Sequence, residues 1–148
     1  LDMKRIQIFT ALWRETNALY EEWARQHHLS YCELLVVLSL AEKEKGCLQK
    51  EICKQWTLPK QTVNTVLKSF MEQSLVNLSP SQEDRRAKTI DLTEKGKLFC
   101  KKISQQLQTV ERKVWDEMGE ANSKVLIEEM TLYNHLLKEM VDCETKDI

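Results

Sequence analysis

Residues 48–92 carry the arrangement that most constrains the fold of this chain. Two short helical stretches, joined by a tight turn, precede two short apolar segments that bracket a polar loop. The pattern predicts a helix from Leu48 to Gln55 with Ile52 facing inward. Trp56-Thr57-Leu58 makes the connection. Pro59 then falls in the first turn of the next helix, where its missing N–H costs nothing, and that helix runs to about Gln73. In Leu75-Val76-Asn77-Leu78 and Thr89-Ile90-Asp91-Leu92, alternate residues are apolar. Strands joined by a polar loop form a hairpin, and an isolated hairpin is marginal in water. It must lean on the helix-turn-helix before it, which makes a winged helix.

The rest of the chain reads as helix. Phe9, Leu12, Trp13, Thr16, Leu19, Tyr20 and Trp23 follow a three/four spacing over 5–26, an aromatic stripe suited to a buried interface. Ser30, three residues before Glu33, forms a capping-box pattern for a helix running to about Lys45, where Gly46 stops it. Thr93 caps a long helix from Glu94 with a stripe of Phe99, Ile103, Leu107, Val110, Val114 and Met118, close to a coiled-coil seam. Gly119 ends it, and a last helix covers about Ala121 to Asp142. Only three Gly and two Pro are present. The expected fold is mainly α with a small β-hairpin wing, a winged helix-turn-helix lobe plus a helical dimerisation region.

Composition narrows the function classes. The net charge is −1, but residues 45–102 hold 12 Lys and Arg against 6 Asp and Glu, leaving −7 for the remainder. A basic middle between acidic ends can present a positive face to phosphates. The five cysteines include no C-x-x-C, which argues against a disulfide framework or zinc ribbon and for a reducing compartment. No apolar run approaches the length of a membrane span, and Leu1-Asp2-Met3-Lys4-Arg5 lacks a signal-peptide pattern. A cytoplasmic protein without membrane association is expected. There is no Gly-rich phosphate loop, no G-x-S-x-G and no readable nucleophile–base pair, so neither an enzyme nor a cofactor is expected. Glu21-Glu22 and Glu128-Glu129 read as solvated helix faces.

On the helix over 60–72, Val63, Val66, Leu67 and Phe70 share one arc, the core face. Gln61, Thr65, Lys68 and Glu72 lie opposite, Asn64 and Ser69 flank them, and Thr62 borders the buried arc. Amides, hydroxyls and ammonium groups hydrogen-bond to base edges and phosphates in a major groove. Gln61 and Asn64 could pair bidentately with adenine, Lys60 and Lys68 could reach phosphate or guanine, and the helix N-terminus favours phosphate. In the loop, Arg85, Arg86 and Lys88 suit the negative potential of a minor groove. Asp84, two residues from Arg86, could orient its guanidinium.

Asp84-x-Arg86, followed by Ile90-x-Leu92-Thr93-x-x-Gly96, resembles the wing of the MarR family of winged-helix regulators. Thr62-Val63-Asn64-Thr65-Val66-Leu67-Lys68 resembles that family's recognition helix, and the resemblance extends over nearly the whole chain. It implies a single domain over 1–148, with a DNA-binding lobe at about 30–100 and dimerisation helices at about 1–29 and 101–148. It further implies a two-fold homodimer on a palindromic double-stranded operator, with Arg86 in the minor groove, and repression as the default outcome. Many members release DNA on binding a small aromatic effector. Trp13, His28 and Tyr31, near the corner of the first two helices, are the candidates for such a site. Two departures stand out. Ser74 occupies a position where the family often has Gly, and the first helix lacks the cysteine of the peroxide-sensing branch.

Two other readings compete. A metal or thiol sensor could use His27, His28 and Cys32, with His135 returning from elsewhere, though a metal site needs three or four convergent ligands. Cys47, Cys53 and Cys100 read as buried fillers. A protein-interaction or dimerisation module could share the fold without binding specific DNA, but it would leave Arg85, Arg86 and Lys88 unexplained.

Overall fold

The computed structural model describes residues 3–145. The element order is α1 (Met3–Gln26), α2 (Tyr31–Glu42), β1 (Cys47–Leu48), α3 (Gln49–Trp56), α4 (Lys60–Glu72), β2 (Val76–Pro80), β3 (Lys88–Leu92) and α5 (Glu94–Glu144). The backbone leaves helical geometry inside α5 at Gly119, with φ 78° and ψ 163°. The chain forms two compact units, one up to Gln105 and the other from Gln106 onward.

The first unit is built around α2. This helix is apolar nearly all round, as a central helix must be, and Leu34, Val36, Val37 and Leu40 are fully buried. Its start is the expected capping box: Ser30 Oγ accepts from the Glu33 N–H at 3.1 Å, and the Glu33 carboxylate accepts from the Ser30 N–H at 3.0 Å. Ile52 of α3 and Val63, Val66, Leu67 and Phe70 of α4 close the core. The face of α4 expected inside is therefore the face buried. Cys100 and Ile103 extend this core from α5, and Phe99 meets Phe70 edge to face, with ring centroids 6.3 Å apart.

The wing is a three-stranded antiparallel sheet in the order β1-β3-β2, where a two-stranded hairpin was expected. Val76 pairs with Leu92 and Leu78 with Ile90; on the other edge Cys47 pairs with Ile90 and Leu48 with Thr89. Leu48 thus belongs to a strand and caps α3 rather than starting it. Pro59 likewise stands one position outside α4, as its N-cap residue. The Asp91 carboxylate accepts from the Gly46 N–H at 2.7 Å, and the Leu92 N–H donates to Glu44 O at 2.9 Å. These bonds tie the sheet to the end of α2, which stops at Glu42, slightly earlier than expected.

Among the described residues three helix ends carry left-handed residues other than glycine: Thr57 after α3, with φ 53°, and two that close a Schellman motif. Ser74, with φ 59°, follows α4. The Leu75 N–H donates to Phe70 O and the Ser74 N–H to Met71 O, each at 2.9 Å, forming a complete Schellman motif. His28, with φ 61°, ends α1 with the same pair of bonds, from Leu29 to Ala24 O and from His28 to Arg25 O. The chain reverses tightly at both places.

Only Ala24 of α1 is buried, while Met3, Ile6, Ile8, Leu12, Trp13 and Leu19 are more than half exposed. The second unit separately exposes Val114, Val125, Ile127 and Met140 to a similar degree. No helix among the described residues is long and apolar enough to cross a membrane.

Candidate nucleic-acid interface

Helix α4 presents Lys60, Gln61, Thr65 and Lys68 to solvent, with Thr62, Asn64 and Ser69 half-buried beside them. The Thr65 hydroxyl donates to Gln61 O at 3.0 Å, which leaves its oxygen free to accept. Neither an acidic residue in the first turn nor a side-chain cap from Pro59 serves the α4 N-terminus. Its backbone N–H groups and the helix dipole therefore favour an anion there.

The wing tip is a defined turn. The Ala87 N–H donates to Asp84 O at 2.9 Å, placing Arg85 and Arg86 at its two central positions, and the Ser81 N–H donates to Ala87 O at 2.8 Å below it. Asp84 Oδ1 accepts from the backbone N–H of Arg86 at 2.9 Å. Asp84 thus fixes the backbone of the turn, where the sequence pointed to a grip on the guanidinium. A carboxylate at the first position of a turn bonds naturally to the N–H two residues on. Asp84, Arg85, Arg86 and Lys88 are all exposed.

Between α3, the start of α4 and the wing lies an open cleft of about 530 Å³, lined by Gln49, Lys50, Cys53, Lys54, Lys60, Asp84, Arg86, Ala87 and Lys88. It brings Lys60, Asp84, Arg86 and Lys88, expected from separate segments, into one place. It also adds Lys50 and Lys54, which the sequence reading passed over. Their spacing of four on α3 puts both on one helical face, a signal that a wheel of that helix would have displayed. Lys50, Lys54, Lys60, Arg86 and Lys88 have no ion-pair partner among the described residues. With five cations against the single carboxylate of Asp84, the cleft is a net cationic surface that includes Lys60 at the N-terminus of α4.

Gln49 is the other residue the sequence did not disclose. It is 5% exposed, and its Nε2 donates to Asn64 Oδ1, so a buried amide holds one end of a side chain expected to face a base.

The candidate effector residues do not line this cleft. Trp13 is 60% exposed on α1, His28 stands exposed in the turn after it, and Tyr31 is half-buried at the start of α2. Burial pushes the Tyr31 hydroxyl pKa up, with smaller contributions from Cys32 and Glu21. Trp23 and His27 stack at 3.9 Å, and His27 Nδ1 lies 2.8 Å from Trp23 O. No group of three or more His, Cys, Asp or Glu among the described residues is placed to hold a metal ion. Cys47 and Cys100 are buried, with thiol pKa values pushed up by burial to about 11 and about 12. Cys53 is half-exposed on the cleft, which corrects its reading as a buried filler: α3 turns that residue toward the wing rather than the core.

The profile of the MarR family matches residues 29–87. Over 97 residues the chain is 30% identical to the HTH-type transcriptional regulator Hpr of Geobacillus thermodenitrificans, covering 66% of this chain and 48% of that protein. The chain spans about half the length of the first curated relatives it matches. Among solved structures, NMB1585, a MarR family regulator from Neisseria meningitidis, superposes with a TM-score of 0.79 at 25% identity, over 93% of this chain and 96% of that one. FabT of Streptococcus pneumoniae, solved in complex with DNA, superposes with a TM-score of 0.72 at 20% identity, over 94% and 99%.

Proposed function

The chain belongs to the MarR family of winged-helix regulators, and on that premise we propose that it is a homodimeric, sequence-specific reader of double-stranded DNA that represses transcription from a palindromic operator. Helix α4 enters the major groove with Gln61, Thr62, Asn64 and Thr65 toward the bases. Lys60, Lys68, Lys50 and Lys54 contact phosphates. The wing sets Arg86 in the adjoining minor groove, with Arg85 and Lys88 beside the backbone. The observation that carries the reading is the cationic cleft, which brings Lys60 at the start of α4 together with the wing turn and sets five cations against the one carboxylate of Asp84.

Dimerisation rests on the apolar side chains that α1 and, separately, the second unit leave exposed. A concentration of exposed apolar side chains supports an interaction site there. The helices outside about 30–100 supply the two-fold contact, and each lobe takes one half-site, the two lying about one helical turn apart. Release by a small aromatic ligand near Trp13, His28 and Tyr31 completes the reading and is supported by the family resemblance alone.

The test is selection of bound fragments from a random duplex pool at stated salt, with light scattering on the same sample. A palindromic consensus bound by a dimer supports the proposal. An unenriched pool, or a monomer mass at micromolar concentration, overturns it.

A further inference from the structure

We infer that Asp91 is a positioning residue that sets the wing against the helix-turn-helix, and so decides how far Arg86 and Lys88 stand from the lysines of α3 and α4. The inference rests on the reading that the cleft between them holds DNA. Asp91 lies next to last in β3, and its half-buried carboxylate accepts from the Gly46 N–H at 2.7 Å. Gly46 belongs to the link between α2 and β1. Beside this bond the Leu92 N–H donates to Glu44 O at 2.9 Å, while Ile90 and Thr89 pair with Cys47 and Leu48. Gln49, the next residue, opens α3. The foot of the wing and the start of the helix-turn-helix are thus joined through one short run of chain.

Strand β1 contributes only two residues to that junction. Continuing its register would set Gly46 opposite Asp91, but Gly46 has φ 69° and leaves extended geometry. Its N–H meets the Asp91 side chain instead, so the carboxylate supplies the rung that the backbone lacks. A carboxylate accepting from an N–H holds about twice as strongly as a neutral acceptor.

Leverage makes this bond matter at the other end of the strand. From Asp91 to Lys88 the strand runs about 10 Å, and a tilt of roughly 10° at its foot moves the far end by about 2 Å. Arg86 lies beyond, on the turn. A displacement of that size takes a guanidinium out of hydrogen-bonding range of its target. Removing Asp91 also removes a negative charge from the DNA-binding lobe, which by itself would tighten binding. Charge and position therefore predict opposite signs.

The test is fluorescence anisotropy on the selected operator, with full-length variants shown to be folded by circular dichroism. Asp91→Ala should lower affinity roughly tenfold, as the fraction of wings in the competent orientation falls. Asp91→Asn, whose side-chain oxygen can still accept, should bind like the parent. In an Arg86→Ala background, Asp91→Ala should cost less than about threefold, because the misplaced contact is already gone, whereas in a Lys68→Ala background it should again cost roughly tenfold. Residues with no shared partner are additive, so a merely structural role would cost the same in both backgrounds. If Asp91→Ala fails to fold, Asp91→Val, which suits a strand and has no acceptor, takes its place throughout. Binding by Asp91→Ala as tight as the parent's, an Asp91→Asn variant as weak as Asp91→Ala, or equal losses in the two backgrounds overturns the inference and leaves the proposed function standing. Failure of the parent to bind the operator better than a shuffled duplex overturns both.

Discussion

The Asp84 carboxylate accepts a hydrogen bond from the backbone N–H of Arg86 at 2.9 Å, across the tip of the wing. The aspartate therefore shapes the turn on which the arginine stands, and the guanidinium is left free for a ligand. Asp84→Ala should loosen the turn and weaken DNA binding, while Asp84→Asn, whose side-chain oxygen can still accept that bond, should bind like the parent or slightly more tightly, having lost a negative charge. Fluorescence anisotropy on one operator at one salt separates the two. Equal loss in both variants would mean that the charge, not the turn, is what matters.

Arg86→Ala should cost more than Asp84→Ala. It removes a charge-assisted contact, worth about 1.5–3 kcal/mol each, from both lobes of a dimer. Glu72→Ala, at the far end of α4, should be neutral or mildly favourable, since it removes a carboxylate that repels phosphate. All three side chains are exposed, so circular dichroism should show an unchanged fold. Binding by Arg86→Ala equal to that of the parent would remove Arg86 from the interface.

Gly96 is required by the wing's attachment to α5. A Cβ there would lie 1.9 Å from the carbonyl oxygen of Leu75 and 3.1 Å from a Leu92 methyl. The same Leu75 oxygen accepts from the Thr93 N–H at 3.0 Å and the Thr93 hydroxyl at 3.2 Å, so it cannot retreat without breaking the junction. Gly96→Ala should destabilise the protein by about 1–3 kcal/mol, the usual cost of overpacking. Thermal or urea unfolding would measure it, and an unchanged midpoint would contradict the close approach.

Ser74→Gly should do the opposite. Ser74 holds a left-handed conformation at the end of α4, which costs an L-residue roughly 1 kcal/mol and costs glycine almost nothing. Part of that gain is returned as unfolded-chain entropy, so stabilisation of a few tenths to about 1 kcal/mol is expected in urea titrations. A destabilised variant would show that the Ser74 side chain contributes more than its backbone strain takes away.

The buried thiols set a pH dependence. Burial pushes the thiols of Cys47 and Cys100 up to about 11 and about 12 in the folded chain, against 9.0 for an unburied thiol. An acid harder to ionise when folded contributes stability that is present below pH 9 and is lost as pH rises through 9 toward 11–12, because the unfolded chain releases its protons first. The urea midpoint should fall over that window. Replacing both residues with Ala should flatten that fall, whatever it does to stability at neutral pH. At neutral pH, a thiol reagent should reach exposed Cys143 and half-exposed Cys32 and Cys53 well before Cys47 and Cys100.

Local signals were strong where a short segment determined its own structure. The capping box at Ser30 and Glu33, the buried arc of Val63, Val66, Leu67 and Phe70, and the alternation of Val76 with Leu78 and Ile90 with Leu92 are all readable from neighbours in the chain. Strand β1 was not, because two residues carry no alternation and Cys47 and Leu48 become a strand only through pairing with Ile90 and Thr89. The Gln49–Asn64 bond and the approach of Leu75 to Gly96 join distant segments in the same way. For Asp84, proximity to Arg86 was legible in the chain, but the backbone N–H that its carboxylate binds was not.

The central claim, sequence-specific reading of duplex DNA through a cationic face, is tested most directly by anisotropy titrations of the selected operator and a shuffled duplex across a range of salt. Each phosphate contact contributes about −0.9 to the slope of log K against log salt. With Lys50, Lys54, Lys60 and Lys68 as the phosphate contacts of each lobe, the affinity of a dimer should fall steeply. The shuffled duplex should bind at least about a thousandfold more weakly. A flat salt response, or equal affinity for both duplexes, would contradict the account.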